Sequence, residues 1–589
     1  MKSQLQFLLR GALDTVLAGT GVAPPDAIAV DPTRDEKFGD FQSNLALTLA
    51  KPLGKPPRAV ADAIVRALPP SAIVARTEIA GPGFINFFLA AGAFQSIVET
   101  ILAEGTRFGR DDSGKAGRVL VEFVSANPTG PMHVGHGRGA AYGDALANLL
   151  AAAGWTVYRE YYVNDAGRQT DVLAVSVWFR YLELCGEQLA FPLRGYPADY
   201  VRDSAAGLRA RHGQRFHRDV AALLRGLPGE TLDDATADDE LRKAAAEKYM
   251  DALIARTREL LGSDYEVMQR EALDTQLADI RATLDAFGVR FDRWASERET
   301  VDSGAVQRAL DQLAAGGHVY EQDGAQWLRT TAFGDEKDRV LIKADGAATY
   351  FVNDIAYHVD KLARGWPLLL DVWGADHHGY IGRMRAAIEA LTGRKDALNV
   401  QLIQFVTLSS GRMGKRSGNF VTLKDLVGEA GRDATRFFYL SRSHDQHLEF
   451  DIELARSQSR ENPVYYVQYA HARICRMFRT GAERGLAYDA AAVPASLQRL
   501  VEPREKELLV MLGRYAETIR NAAAQSAPHL MTFYLRELAD ALHRCYDTVR
   551  VLVEDDAELR TARLGLAAAT RQVLASGLAL LGVSAPEQM

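Results

Sequence analysis

The sequence predicts a multidomain α/β protein: a parallel-sheet domain with a mainly helical insertion, a small α+β domain before it and an all-α domain after it. The chain has 589 residues, more than one hydrophobic core usually organises. Residues 117–165 contain a strand-like run, a helical pattern and a second strand-like run, which is typical of a βαβ unit. Beyond about residue 460, nearly the whole chain has the periodicity of amphipathic helices.

The first 110 residues are predicted to form the α+β domain. Two helical patterns flank the loop DPTRDEKFGDFQSN. They precede TEIAGPGFINFFL at 77–89, where apolar residues alternate beyond a Gly-Pro-Gly turn, as in a strand. The N-terminal segment MKSQLQFLLRGALDTVLAGTG has a short apolar stretch broken by Arg10 and Asp14, which favours an amphipathic helix over a signal peptide.

The parallel-sheet domain is predicted over residues 111–400. Its first strand lies in GRVLVEFVSANPTG (117–130), a continuous β-branched and aromatic run of the kind buried on both faces. Charged, Arg-rich helical sequence at about 175–300 indicates an insertion between two halves of the sheet. The segments at 338–362 and 367–391 then restore strand, turn and helix. Ligands of such sheets bind at the carboxyl ends of the strands.

The end of the chain is predicted to comprise a polar loop with a connecting region at 401–460 and the all-α domain at 461–589. The composition, with 47% hydrophobic and 25% charged residues, is that of a soluble globular protein. No apolar run approaches the ~20 residues that a membrane span requires, so we expect a cytoplasmic protein without membrane contact.

Cysteine and charge content exclude further classes. Cys185, Cys475 and Cys545 lie far apart, which predicts no disulfide framework and no structural zinc. The net charge of -7 lacks the basic footprint typical of nucleic-acid binding. Local basic surfaces remain compatible with it, because 69 lysines and arginines are distributed over the chain.

The segment NPTGPMHVGHGRGAAYGDALANLL (127–150) places two histidines three residues apart among glycines, where a helix is predicted to begin. Glycines permit close backbone approach, and free N–H groups at a helix start bind anions. His133 and His136 add side-chain donors, so the turn is predicted to bind phosphate. A metal site and simple helix packing are the alternatives. No third metal ligand is nearby in the sequence, and a second HxxH, His444 and His447, shows that the spacing alone is not specific.

A second polar segment, LSSGRMGKRSGNFVTLKDL (408–426), places Arg412, Lys415 and Arg416 among glycines and serines. Such a loop can bring mobile cations over a polyphosphate. A solvated basic loop is the alternative.

These segments carry a resemblance. PMHVGH is similar to the HIGH signature, and RMGKRS to the KMSKS signature, of class I aminoacyl-tRNA synthetases. VEFVSANPTGPMHVGHGRG, YYVNDAGRQ, GPGFINFFL, GADHHGYIGRM and NPVYYVQYAHARI together resemble arginyl-tRNA synthetases of the bacterial type, from the N-terminal region to the C-terminus. The resemblance implies a Rossmann-like catalytic domain, an N-terminal domain on the D-loop side of the tRNA and a helical anticodon-binding domain at the C-terminus.

The resemblance also implies a reaction. The family activates L-arginine with ATP and Mg²⁺, releases pyrophosphate, and transfers arginine from arginyl-adenylate to the 3′-terminal adenosine of tRNA(Arg). His133 and His136 would contact the ATP phosphates, and Lys415 would hold the leaving pyrophosphate. The ATP-binding set by matching position is His133, Gly135, His136, Gly374, Asp376, His377, Arg412, Met413 and Lys415. Arg412 and Gly414 depart from the usual signature, which has a lysine and a serine there.

For the arginine pocket, the resemblance implies Glu122, Asn127, Tyr350 and Asp354. Glu122 would meet the substrate ammonium, while Asp354 and Tyr350 would face the guanidinium, which is always charged and has five donors. The alternatives are local structural roles: a strand-end carboxylate, a helix-face charge and a core tyrosine. A site that pairs the guanidinium should reject lysine and citrulline, so no editing domain is expected.

The helical domain carries the candidate tRNA contacts. In NPVYYVQYAHARICRMFRT, Arg473 and Arg476 share a helix face, with Tyr465 and Tyr469 one or two turns earlier. Basic groups beside aromatic rings suit phosphates and splayed RNA bases, and a solvated helix face with core tyrosines is the alternative. The family implies a monomer. A paralogue that binds tRNA without catalysis is the rival from another functional class.

Overall fold

The computed structural model describes residues 1–33, 35–90, 92–231, 239–409 and 421–589. In this part of the chain, no helix is both long and apolar enough to cross a membrane. The buried apolar side chains that it describes form separate clusters for the N-terminal domain, the insertion and the two faces of the central sheet.

The N-terminal domain is an antiparallel sheet covered by helices. Its elements are α1 (Lys2–Val16), β1 (Asp31–Pro32), β2 (Phe41–Ser43), α2 (Leu45–Leu53), α3 (Pro57–Ala67), β3 (Val74–Ala80) and β4 (Phe84–Leu89), after which α4 (Ser96–Glu104) leads into the next domain. The strand order is β1-β2-β4-β3. Strands β3 and β4 form a hairpin, and φ values of +49° at Gly81 and +148° at Gly83 explain the glycines of its turn.

The predicted βαβ unit is present, and a helical insertion follows it. The unit consists of β5 (Gly117–Glu122), α5 (Val134–Ala152) and β6 (Trp155–Val163). The insertion contains α6 (Arg168–Leu184), α7 (Asp199–His212), α8 (Val220–Leu224), α9 (Asp239–Leu261) and α10 (Asp264–Ala286). Its core is built from its own helices, with Trp178 and Phe179 of α6 fully buried.

The chain then returns to the sheet. The elements are β7 (Arg293–Ser296), α11 (Glu297–Asp302), α12 (Ala305–Ala315), β8 (Val319–Gln322), β9 (Ala325–Leu328), β10 (Arg339–Ile342), α13 (Tyr350–Ala363), β11 (Leu368–Gly374), α14 (Ile381–Thr392) and β12 (Leu398–Ile403). The central sheet has the order β12-β11-β5-β6-β7, and each neighbouring pair is parallel. Val119, Leu120 and Val121 of the central strand β5 are fully buried, as its apolar run predicts.

Two details of the sheet differ from the sequence pattern. Strand β7 belongs to the central sheet although its residues lie inside the range predicted for the insertion. Strand β10, in the segment at 338–362, pairs with β9 in a separate antiparallel sheet that also contains β8. Both strands have four residues, which is too short for a clear periodicity.

The strands that follow β5 in the chain are added first on one side of it, as β6 and β7, and then on its other side, as β11 and β12. The direction in which strands are added therefore reverses at β5. In open parallel sheets, the crevice at such a point is where ligands bind. Beyond the sheet, the connecting region contains β13 (Val406–Leu408), α15 (Leu423–Ala430), α16 (Arg432–Leu440), β14 (Leu448–Phe450) and α17 (Ile452–Arg456).

The C-terminal domain is helical. It consists of α18 (Pro463–Glu483), α19 (Val493–Ser496), α20 (Pro503–Gly513), α21 (Tyr515–Ala524), α22 (His529–Thr548) and α23 (Ala557–Leu580). Buried polar contacts fix this domain to α5. Tyr142 Oη donates to the carbonyl of Ser526 at 2.8 Å. Arg436 donates to Asp144 Oδ2 at 2.5 Å and to the carbonyl of Leu581 at 3.0 Å.

Candidate active site

The two histidines of the turn cap helix α5 reciprocally. His133 is the N-cap, with φ −88° and ψ 170°. Its Nδ1 accepts from the N–H of Gly135 at 3.1 Å and from the N–H of His136 at 3.3 Å. In return, Nδ1 of His136 accepts from the N–H of His133 at 3.3 Å. The imidazole rings stack with centroids 3.6 Å apart.

This arrangement fixes the tautomer of both rings. Burial lowers the pKa of His133, and burial followed by the neighbouring His133 lowers the pKa of His136 to about 3. Both rings are therefore neutral at pH 7. Because each Nδ1 accepts a hydrogen bond, each ring carries its proton on Nε2. The turn thus presents two Nε2–H donors on stacked rings, which suits an anion.

The backbone of the turn plays a different part from the one expected. The sequence predicts free N–H groups at the helix start, but those of Gly135 and His136 already donate to His133. The N–H of Val134 donates to the carbonyl of Val421 at 3.3 Å. The N–H groups of this first turn are thus engaged within the protein, and both imidazoles line the cavity described below.

Two glycines of α5 allow neighbouring elements to pack closely against the helix, and a third leaves space for a cavity. A Cβ at Gly137 would lie 2.5 Å from Leu423 and 3.0 Å from the hydroxyl of Tyr439, so this glycine admits α15 and α16. A Cβ at Gly143 would lie 2.2 Å from Phe123. Gly139 instead lines the cavity described next, and a Cβ there would meet nothing within 4 Å.

A cavity of about 530 Å³ lies beside the histidine turn, at the carboxyl ends of β5 and β11. It is the crevice expected at the point where the strand order reverses. Seven predicted site residues share this cavity, namely Asn127, His133, Gly135, His136, Gly374, Asp376 and His377. Gly374 cannot be replaced without movement, because a Cβ would lie 2.4 Å from Asp376 Oδ1.

The loop between β5 and α5 forms one wall of the cavity. Val124 and Ser125 have φ values of 70° and 40°, which non-glycine residues rarely adopt and which cluster at functional sites. The loop is anchored by Tyr161, whose hydroxyl donates to the carbonyl of Ala126 at 2.8 Å. Asn127 follows directly on the cavity wall.

Below the cavity, three carboxylates form a row across the sheet. Asp371 on β11, Glu122 on β5 and Glu160 on β6 are in register on adjacent strands. Like charges so placed destabilise a sheet unless cations neutralise them. Helix α13 supplies the cations. Lys361, fully buried, donates to Glu122 Oε2 at 2.5 Å and to Asp371 Oδ1 at 3.1 Å.

The remaining members of this row are also paired. Arg364 donates to Glu160 Oε1 at 2.8 Å. His358 lies within hydrogen-bond distance of two acceptors, with Nε2 at 2.8 Å from Asp371 Oδ2 and Nδ1 at 2.7 Å from the carbonyl oxygen of Asp354. Despite the opposing effect of burial, the charges of Lys361 and His358 lower the pKa of Asp371 to about 2. Lys361, Arg364 and the imidazole of His358 thus contact the three carboxylates.

Glu122, predicted to meet the substrate ammonium, belongs to this row. It is only 6% exposed. Its second oxygen, Oε1, accepts from Ser125 Oγ at 2.9 Å. Both carboxylate oxygens therefore have protein partners, which the strand-end alternative anticipates.

A second group of carboxylates consists of Asp354 in α13 and Glu297 at the start of α11. Tyr380 donates to Asp354 Oδ2 at 2.5 Å. Burial raises the pKa of Asp354. Burial and then repulsion by Asp354 raise the pKa of Glu297, and the neighbouring Tyr162 opposes part of that rise. Two carboxylates that repel each other in a buried setting favour a bound cation.

Glu297 did not emerge from the sequence. It follows β7 directly at the start of α11, and it lies in the region that reads as a helical insertion. A glutamate at the carboxyl end of a parallel strand is the signal that identifies it once β7 is placed in the sheet. Tyr350, which the sequence does indicate, is 73% exposed at the first residue of α13.

Arg412, Met413 and Lys415 lie outside the described residues. The ends of their loop are placed. Strand β13 precedes it and pairs with β14. After it, Thr422 forms a bridge with His133, and the N–H of Leu423 donates to the carbonyl of Met132 at 2.8 Å. The far end of the loop is thus joined to the histidine turn.

The C-terminal domain has a groove of about 800 Å³, lined by Tyr469, Arg473, Arg476, Arg479, Arg484, Tyr546 and Arg550 among others. Arg473 lies 4.2 Å from the ring centroid of Tyr546 and donates to Nδ1 of His543 at 2.9 Å. Tyr465 stacks on Tyr469 with centroids 6.2 Å apart, but it lines a neighbouring cleft. Three of the four predicted tRNA contacts therefore share one groove.

In the described ranges, no cluster of three or more histidine, cysteine, aspartate or glutamate side chains could hold a metal ion. His133 and His136, whose spacing left a metal site open, stack on each other instead.

Family models match nearly the whole chain. Residues 4–89 match the arginyl tRNA synthetase N terminal domain, and residues 97–185 and 231–450 match the catalytic domain of class I tRNA synthetases (R). Residues 467–589 match the DALR anticodon binding domain. The matched catalytic ranges leave out residues 186–230.

Comparisons with individual proteins identify the same family. The arginine–tRNA ligase of Thioalkalivibrio sulfidiphilus is 52% identical, with 100% of both chains covered. That of Halorhodospira halophila is 50% identical with the same coverage. The structure of Thermus thermophilus arginyl-tRNA synthetase is 24% identical, covers 100% of both chains and has a TM-score of 0.74, which supports the multidomain fold. The chain therefore belongs to the arginyl-tRNA synthetase family.

Proposed function

We propose that this chain is an arginine–tRNA ligase. It activates L-arginine with ATP to give arginyl-adenylate and pyrophosphate, and then transfers arginine to the 3′-terminal adenosine of tRNA(Arg). One observation carries the proposal: two stacked imidazoles line the cavity at the switch point of the sheet, in a chain similar to arginine–tRNA ligases over its full length.

In the first step, an oxygen of the arginine carboxylate attacks the α-phosphorus of ATP. The bond from that phosphorus to the bridging oxygen breaks, and pyrophosphate leaves with the electron pair. His133 and His136 donate from Nε2 to phosphate oxygens as negative charge shifts during attack. Lys415 stabilises the leaving pyrophosphate, and Arg412 belongs to the ATP-binding set by its position in the signature loop. The catalysis is positioning and electrostatic stabilisation, without a covalent enzyme intermediate.

The nucleoside of ATP occupies the part of the cavity formed by Gly374, Asp376 and His377, with Gly135 close to the phosphates. Gly139 supports this placement, because it has no side chain and so leaves the cavity open at its position. Met413 belongs to the proposed ATP set by its position in the signature loop.

Arginine recognition rests on the acidic group that α11 and α13 form. Asp354 and Glu297 pair with the guanidinium, and Tyr350 closes over it from the first turn of α13. Asn127 and Glu122 orient the amino-acid end of the substrate, Glu122 from its place in the neutralised row. Because a buried carboxylate pair is costly without a matching cation, a neutral analogue such as citrulline should bind poorly.

The tRNA meets two surfaces. The groove containing Tyr469, Arg473 and Arg476 takes the anticodon, with Tyr465 extending the stacking surface. The N-terminal domain, over residues 1–110, takes the D-loop side. In this groove, the guanidinium groups suit RNA phosphates and the aromatic rings suit unstacked bases.

The proposal includes Mg²⁺ as a companion of ATP, a monomeric protein and a cytoplasmic location. No cluster of described side chains would hold Mg²⁺ by itself, and Mg²⁺ commonly binds through substrate phosphates and water. We therefore derive no step through the metal. The domain bounds predicted from the sequence, 111–400, 401–460 and 461–589, remain part of this proposal.

The test is charging of purified tRNA(Arg) with radiolabelled arginine, ATP and Mg²⁺. We expect arginylation that is lost in Lys415→Ala and strongly reduced in Asp354→Asn, with lysine and citrulline not competing. Arg290→Ala, at an exposed position of the insertion, is the control and should charge normally. Binding of tRNA(Arg) without any charging by the wild type would refute the ligase proposal in favour of a binding paralogue.

A further inference from the structure

Two tyrosines of the helical insertion lie against the loop between β5 and α5, and one of them hydrogen-bonds it. Tyr200, in the first turn of α7, donates from its hydroxyl to the carbonyl of Thr129 at 2.8 Å. Burial raises the pKa of Tyr196, and the neighbouring side chain of Thr129 offsets part of that rise. The insertion therefore contacts the loop at Thr129, with the hydrogen bond from Tyr200 as the link.

Gly130 makes this contact possible. A Cβ at this position would lie 2.8 Å from the hydroxyl oxygen of Tyr200 and 2.9 Å from its Cζ. Gly130 is not among the glycines with positive φ, so an alanine is compatible with its backbone. The position requires glycine for the space that Tyr200 occupies.

The held segment borders the active-site cavity. Asn127 lines the cavity and accepts, at its carbonyl, from the N–H of Thr129 at 2.8 Å. On one side of Asn127, Tyr161 of the sheet anchors the carbonyl of Ala126. On the other side, Tyr200 of the insertion anchors the carbonyl of Thr129. This wall of the cavity is thus held by one hydrogen bond from the central sheet and one from the insertion.

The insertion is stiff enough to serve as an anchor. The N–H of Tyr196 donates to Ser176 Oγ of α6 at 2.9 Å. Ser204, one turn beyond Tyr200, accepts at Oγ from Gln276 of α10 at 2.9 Å. Helix α7 is therefore braced on both sides by the core of the insertion. Tyr196 and Tyr200 also lie in residues 186–230, which the catalytic family model does not match.

We infer that Tyr200 is a positioning residue for arginine: through Thr129 it fixes the loop that carries Asn127, so that the helical insertion completes the amino-acid side of the active site. The inference rests on the proposed arginine–tRNA ligase activity. It assigns to the insertion a part in substrate binding, in addition to any part in stability.

The principal test is Tyr200→Phe, which removes one hydrogen bond and keeps the ring. We expect the KM for arginine in tRNA charging to rise about fivefold, the size of effect of one neutral hydrogen bond. The KM for tRNA(Arg) should stay within about twofold of the wild type, because the groove in the C-terminal domain is remote from Thr129. Thermal unfolding is measured in parallel.

Tyr181→Phe is the matched control. Its hydroxyl donates to the carbonyl of Gly213 at 2.6 Å and accepts from the N–H of Phe216 at 3.3 Å, both inside the insertion. This variant weakens the insertion without touching the loop, so its KM for arginine should equal that of the wild type. If the two variants change the KM for arginine equally, Tyr200 acts only through the stability of the insertion and the inference is overturned.

Gly130→Ala approaches the contact from the loop side and covers the case in which Tyr200→Phe does not fold. It should displace Tyr200 and raise the KM for arginine. The double variant Gly130→Ala/Tyr200→Phe should be no worse than the more impaired single variant, since both changes break one contact. Additive effects, or an unchanged KM for arginine in Gly130→Ala, overturn the inference. A wild-type protein that charges no tRNA would instead refute the ligase proposal itself.

Discussion

Replacing His133 by asparagine separates the two roles that the structure gives this side chain. Nδ1 of His133 caps α5 by accepting from Gly135 at 3.1 Å and from His136 at 3.3 Å. Nε2 carries the ring proton that we assign to a phosphate of ATP. The side-chain oxygen of asparagine can take the place of Nδ1, and asparagine is among the preferred N-cap residues. His133→Asn should therefore keep the cap and lose the donor.

The two roles differ in size. Loss of a helix N-cap costs about 1 kcal/mol of stability, whereas loss of one donor to a developing negative charge costs about 2.7–4 kcal/mol, or a factor of 10²–10³ in kcat. We expect the free energy of unfolding of His133→Asn to remain within about 0.5 kcal/mol of the wild type. Its kcat should fall at least about a hundredfold. His133→Ala should show both losses.

The assay is ATP–pyrophosphate exchange with arginine at saturating tRNA(Arg), combined with urea unfolding of all three proteins. Saturating tRNA removes any dependence of activation on tRNA from the comparison. An asparagine variant that exchanges at the wild-type rate would refute the role of Nε2. An asparagine variant as unstable as the alanine variant would refute the capping argument and leave the kinetic result uninterpretable as a donor effect.

Three further outcomes are expected. Protonation of Glu297 and Asp354, whose pKa values are raised, removes their attraction for a guanidinium, so the KM for arginine should rise as pH falls below neutrality; Glu297→Gln should flatten that profile, and an unchanged profile contradicts the assignment. Lys361→Met leaves two buried carboxylates without their shared cation and should lower the free energy of unfolding by about 3–5 kcal/mol in urea titrations, whereas a loss below 1 kcal/mol would contradict the charge balance. Arg476→Ala should weaken tRNA(Arg) binding and reduce the slope of log affinity against log salt by about 0.7, the value for one phosphate of a single strand; Arg290→Ala is the control, and an unchanged slope removes Arg476 from the interface.

The sequence predicts what depends on local pattern. The apolar run of β5, the helix after it and the glycine-histidine turn are all continuous in the chain, so their periodicity and composition identify them. The capping role of the histidines was not predictable, because histidine is not a preferred N-cap residue. The commitment of Glu122 to Lys361 joins residues 239 positions apart, and no local pattern encodes such a pair. Glu297 was obscured for a related reason, since the strand before it has only four residues.

Helix α13 connects the three carboxylates of the central sheet, those of Asp371, Glu122 and Glu160, to the proposed substrate pocket. Asp354, His358 and Lys361 follow each other at four and three residues and therefore share a face of the helix. Lys361 binds Glu122 at the end of β5 and Asp371 in the middle of β11, and His358 bridges Asp371 and the carbonyl of Asp354. The register of α13 on the sheet, and with it the position of the Asp354 carboxylate, is thus set by buried ion pairs. A slide of the helix would disturb its hydrophobic packing and would in addition leave charges buried without partners. The row of carboxylates, costly by itself, consequently fixes the distance between the proposed guanidinium site and the cavity at the histidine turn.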